Sequence, residues 1–142
     1  MSRGMDKRAP PRFKTLLDKY PDTSAPCDQA WDNQCAIRVS IALVGAGFHL
    51  TGYTDPLCKH GHARGAESLA NYLWKQLRPP VIRKGAGKAK ALTKDKTGIV
   101  FFRNITGFRG GLGDHIDLWD KTATMTGQYF DSCAETCFWE VA

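Results

Sequence analysis

No stretch of this sequence approaches the ~20 consecutive apolar residues that cross a bilayer as a helix, so a helical membrane protein is excluded. The opening dozen residues, Met1 to Arg12, lack the apolar centre of a secretion signal, and no export address is legible. Acidic residues are in deficit: 14 Asp+Glu stand against 20 Lys+Arg, a formal charge of +6. That imbalance favours anionic partners such as nucleic acid, anionic lipid or cell-wall polymer without selecting one. Much of the excess falls between Arg83 and Lys96, where no aromatic side chain is available to stack a base. The segment reads as a solvated basic loop, and no nucleic-acid partner is expected. Internal repeats and a second domain are also missing.

What is present suits one domain. A chain of 142 residues buries roughly 68–70% of the surface its unfolded form exposes. Residues 1–12 are expected to be a flexible segment and 13–142 a single domain. Phe13, Leu16, Leu17 and Tyr20 recur at the spacing of a short amphipathic helix, which Pro21 stops. Asp32 and Asn33 offer cap-type side chains ahead of an apolar helix from Gln34 to Val44, ended by Gly45 and Gly47. Ala66, Leu69, Ala70, Leu73 and Leu77 mark a third helix before Pro79-Pro80. Beyond the basic segment the period changes. Gly98–Phe102, His115–Trp119 and Thr136–Val141 are β-branched and aromatic, as strands are. Helices followed by strands indicate an α+β domain with N-terminal helices packed on an antiparallel sheet.

Five cysteines exceed what packing requires, and the odd number fits one reactive thiol plus two bridged pairs, which would place the working compartment outside the cytosol. Cys27 with Cys58 and Cys133 with Cys137 are the expected bridges. Cys58-Lys59-His60-Gly61-His62 also carries soft metal ligands, but its spacing is unlike the paired motifs of zinc sites, and no metal is expected.

Of these thiols Cys35 has the setting a nucleophile needs. In the first turn of its helix the unpaired backbone N–H groups and the helix dipole favour the thiolate, and the same N–H groups suit an oxyanion. A cysteine nucleophile requires a base from elsewhere in the chain. His115 opens a strand directly after Gly107, Gly110, Gly111 and Gly113, which clear space around it. His49, His60 and His62 are weaker choices. A third, acidic group should orient the imidazole. If the strand of His115 returns in a hairpin centred near Ala123, Asp131 falls opposite it. Glu135 is the alternative, and Asp117, on the same strand face as His115, stays open. Asn33, Gln34, Arg64 and Gly113 are the expected substrate-binding residues, Arg64 because its fork bonds both oxygens of a carboxylate.

The segments Asp32–Ser40 and Gly113–Trp119, with His60–Glu67 and Phe138-Trp139, resemble the type VI secretion amidase effectors, specifically their fourth family. The resemblance runs from Phe13 through most of the chain. It implies a papain-like, NlpC-type fold with the cysteine on a helix and the histidine on an antiparallel sheet. It implies hydrolysis of the amide between D-glutamate and meso-diaminopimelate in peptidoglycan stems, without a cofactor. It further implies delivery by a secretion apparatus into the periplasm of a target bacterium, and a cognate immunity protein that plugs the cleft. Cys35 and His115 match the family's nucleophile and base. The acidic residue does not carry over cleanly, because the family's aspartate slot between two cysteines holds Glu135 here.

Overall fold

Three helices precede most of the sheet, and each forms where its apolar residues share a face. In the computed structural model, which describes residues 6–21, 34–108 and 111–142, helix α1 spans Phe13–Lys19 and buries Phe13 and Leu16. Helix α2, Cys35–Gly45, buries Cys35, Ala36, Ile37, Val39, Ser40, Ala42 and Leu43, which leaves it little polar face. Such a helix must be covered on most sides. It packs against α1, against helix α3 (Ala66–Gln76) and against the sheet.

The sheet has four antiparallel strands in the order β1-β4-β2-β3, with β1 at Val81–Arg83, β2 at Thr97–Phe108, β3 at Gly111–Asp120 and β4 at Glu135–Glu140. Strand alternation splits the core in two. Ile99, Phe101, Ile116, Leu118, Cys137 and Trp139 face α1–α3. Val100, Phe102, Ile105, Trp119 and Phe138 face the other way, toward Ala89 and Phe130. Burying each such large apolar side chain contributes about 1.5–3 kcal/mol. One glycine makes the centre of the sheet possible: a Cβ on Gly98 would stand 2.1 Å from the Trp139 carbonyl oxygen.

Two expectations are corrected here. The basic segment is no loop: it begins at the end of β1 and contains a helix α4, Ala86–Thr93, which buries Ala89 and Thr93 under the second core layer and leaves Lys84, Lys88 and Lys94 exposed. Nor does the strand of His115 return in a hairpin that brings Asp131 opposite. It pairs backwards with β2, so that Phe102 faces His115, and β4 crosses to lie between β1 and β2. Residues 6–8, at the start of the described chain, contact the body of the domain. Asp6 pairs with Arg78 at 2.7 Å, Lys7 N–H donates to the Leu77 carbonyl at 2.7 Å, and the Arg8 guanidinium stacks 3.8 Å from the Phe48 ring centroid while bonding the Tyr72 hydroxyl. Among the described residues, no helix is long and apolar enough to cross a membrane.

Candidate active site

Cys35 is the first residue of α2 and only 2% exposed. Its predecessor Gln34 is the N-cap, also buried, and its side chain makes no capping bond to the helix end. The first turn of a helix directs its N–H groups outward, toward any charge placed there. Arg38, one turn on, takes the first intrahelical bond, from its N–H to the Gln34 carbonyl at 3.0 Å.

His115 comes from β3, the edge strand that α2 packs against. Its ring lies 6.3 Å from that of Phe102 in a stacked pair and 5.1 Å edge-on from that of Tyr129, contacts that fix its plane. Nε2 lies 2.8 Å from Asp117 Oδ2, and the ring also hydrogen-bonds with the Cys35 side chain. With Nε2 taken by the carboxylate, Nδ1 is the nitrogen left for sulfur. Burial alone would hold the ring neutral. The bond to Asp117 and the bond and charge of Cys35 override it, and the ring's pKa is raised to about 9.

Asp117 has no exposed surface, and the chain wraps around its carboxylate. Oδ1 accepts from the N–H groups of Leu118 at 2.8 Å and Met125 at 3.1 Å. Oδ2 accepts from Thr126 N–H at 2.9 Å, the Thr126 hydroxyl at 2.9 Å and Gly127 N–H at 3.1 Å, besides the His115 ring. Burial would favour the neutral acid, but the bonds from His115 and Thr126 stabilise the anion and lower its pKa.

The other expected residues are scattered. Asp131 is exposed and ion-paired with Lys90 at 3.2 Å. Glu135 accepts from Arg103 Nε at 3.1 Å, and Arg103 also holds Glu67 on α3. Neither carboxylate touches His115, whereas Asp117 does. Gly113 makes room for Phe108, whose ring would meet a Cβ there at 2.2 Å; Phe108 then packs 5.4 Å from Tyr129, the ring that flanks His115. The glycine thus lets Phe108 and Tyr129 form a wall of rings beside the imidazole. Arg64 is exposed at the end of a loop whose backbone bridges Leu57 to Ala63, and Ala63 N–H donates to buried Ser40 of α2 at 3.1 Å. Asn33 and Cys27, with the bridge expected of the latter, lie outside the described residues.

Cys133 and Cys137 are both free thiols, so the expected bridge between them is not formed. Cys133 Sγ turns to the Thr136 hydroxyl at 3.4 Å, and burial together with the charge of Glu135 pushes the Cys137 thiol up to about 11, which keeps it protonated and unreactive. Cys58 Sγ sits 3.6 Å from His62 Nδ1. Among the described residues no group of three or more His, Cys, Asp and Glu side chains is arranged to hold a metal ion. Sequence reasoning missed the loop of Met125–Gly127 and the rings of Phe102 and Tyr129. The one signal for the loop was Thr126-Gly127, a polar and turn-forming pair after the strand.

A buried helix that opens on a thiol, in contact with an imidazole presented by an antiparallel sheet, is the layout of a papain-like cysteine peptidase. Within that class the chain belongs to the family of type VI secretion system amidase effector protein 4, Tae4, whose model matches residues 31–139. Solved structures agree in fold. The chain is similar to the type VI effector Tae4 from Enterobacter cloacae, at a TM-score of 0.68 and 15% identity, covering 93% of this chain and 97% of that one. The same effector in its Tae4–Tai4 effector–immunity complex gives 0.71 and 15%, covering 93% and 99%. The effector of the Tae4/Tai4 effector–immunity system from Salmonella typhimurium gives 0.67 and 15%, with the same two coverages. Among curated proteins, none matches by sequence.

Proposed function

We propose that Cys35 is the nucleophile, His115 the proton carrier and Asp117 its orienting anion in an amidase that cuts the γ-D-glutamyl-meso-diaminopimelate bond of peptidoglycan stems. The observation that carries this reading is the His115 ring, hydrogen-bonded on one side to Cys35 and on the other to buried Asp117. With its pKa near 9 the ring is cationic at neutral pH and holds the proton that the leaving amine needs. The thiolate attacks the γ-glutamyl carbonyl and the imidazolium protonates the departing diaminopimelate amine. Neutral His115 then takes a proton from water, whose hydroxide carbon–oxygen bond replaces the thioester and regenerates the thiolate. The Cys35 N–H, with Asn33 and Gln34 beside it in sequence, is the donor set for the oxyanion. Arg64 is offered for the substrate carboxylates.

The neighbouring structures that pair Tae4 with Tai4 support a cognate immunity protein for this chain, blocking the cleft in the producer. The site of action is then the periplasm of a target bacterium, reached through a type VI apparatus. Replacing Cys35 by Ala should lower turnover of purified peptidoglycan by about 10³-fold or more with the fold retained. Fragment masses from the wild-type digest identify the bond. Equal product from wild type and variant sinks the proposal and favours a basic wall-binding module.

A further inference from the structure

We propose that Thr126 is a positioning residue of the reaction: its hydroxyl fixes which ring nitrogen of His115 holds its proton and supports the cationic ring. The inference rests on the reading of Cys35, His115 and Asp117 as the reacting unit. Thr126 Oγ1 lies 2.9 Å from Asp117 Oδ2 and 3.4 Å from His115 Nε2. The ionised carboxylate only accepts, so the single hydroxyl proton is committed to it. Thr126 therefore presents nothing but a lone pair to the imidazole. With the carboxylate on one side and this lone pair on the other, Nε2 must hold its hydrogen, and Nδ1 is the atom that exchanges a proton with Cys35.

The crowding at Oδ2 explains why a second acceptor matters. That oxygen already receives the Thr126 and Gly127 N–H groups and the hydroxyl. Nε2–H still reaches Oδ2 at 2.8 Å, and the hydroxyl oxygen at 3.4 Å is a second, longer acceptor for the same hydrogen on a carboxylate oxygen that is already shared. The backbone donors from Leu118, Met125, Thr126 and Gly127 do not depend on the side chain at 126, so removing the hydroxyl leaves Asp117 anionic and in place. It would leave a methyl group against the buried pair, which penalises the charged ring. The other titratable and charged groups around this pair are Cys35 and Arg38 from α2, Tyr20 from the end of α1 and Tyr129 from the covering loop. From β2 the facing residue is Phe102, and α3 directs Glu67 to Arg103.

The test compares Thr126→Val and Thr126→Ser by the pH dependence of kcat and KM on soluble stem peptide, with Cys35→Ala alongside. For the valine variant the expected result is a kcat lowered roughly tenfold, an unchanged KM and an alkaline limit moved to lower pH. Serine should restore both. A valine variant with the wild-type profile, or a serine variant as impaired as valine, overturns the role of the hydroxyl. If Cys35→Ala is itself active, the underlying triad reading fails instead, and the two failures are separable.

Discussion

Replacing Asp117 by Ala separates the three carboxylates open to the histidine. Asp117 is wholly buried and accepts from four backbone N–H groups, one hydroxyl and the His115 ring. Truncation strands all of them. An orphaned buried donor costs about 1–3 kcal/mol, but the loop donors are only partly buried and regain water. The larger loss is the counter-charge of the imidazolium, since removing one partner of a buried pair costs roughly 3–5 kcal/mol. We expect Asp117→Ala to lower stability by about 4 kcal/mol and turnover by at least about 10²-fold. Asp131→Ala, at an exposed ion pair, should change stability by no more than about 0.5 kcal/mol and leave turnover intact. Urea unfolding at pH 7 gives the stabilities, and amide exchange at Met125–Gly127 reports whether the loop has been released. The sign with pH is fixed as well. The folded carboxyl is depressed, so its contribution is present above the unfolded value of about 3.9 and is lost as pH falls through the folded one. The variant should therefore resist acid more evenly than wild type. An Asp117→Ala protein within about 1 kcal/mol of wild type, or an Asp131→Ala protein that loses turnover, would refute this account.

His115 should behave oppositely with pH. Its value rises from 6.5 to about 9 on folding, so its contribution, on the order of 3 kcal/mol, is complete below about 6.5 and is lost as pH climbs through about 9. Urea midpoints of wild type and His115→Gln should converge across that window, and a constant gap contradicts it. Cys35→Ser should bring the imidazole below about 9 by removing the bond and charge that Cys35 contributes, read by NMR titration of the ring; an unchanged midpoint means that the two side chains do not meet. Gly98→Ala forces a Cβ to within 2.1 Å of the Trp139 carbonyl oxygen, and a loss of about 3 kcal/mol or failure to fold is expected, measured by thermal unfolding.

The elements with a strong apolar period were legible to within a residue or two. The expected helix ending at Val44 ends at Gly45, and the one starting at Ala66 does so. Helix α4 escaped because Ala86–Thr93 follows Gly85, carries Gly87 in its first turn and alternates Ala with Lys, with only Ala89 and Thr93 buried and no apolar stripe to read. The sheet order was hidden for a different reason. Neighbouring strands usually pair in sequence order, but β4 pairs with β1 and β2, so a register counted through a hairpin pointed to Asp131. Asp117 shares a strand face with His115, two residues on, and this was visible. What raised it above the alternatives was the turn at Met125–Gly127 closing over its carboxylate, a contact that no local pattern encodes.

The placement of β4 between β1 and β2 has a consequence for the order in which the fold is completed. A polypeptide emerging from its amino end holds Cys35, His115 and Asp117 well before it holds Glu135–Glu140, yet the middle of its sheet is still missing. Val81 must wait for Phe138, a distant partner whose capture is slow. The sheet is closed only by the last strand to arrive, so an unfinished or C-terminally shortened chain lacks the strand that joins β1 to β2.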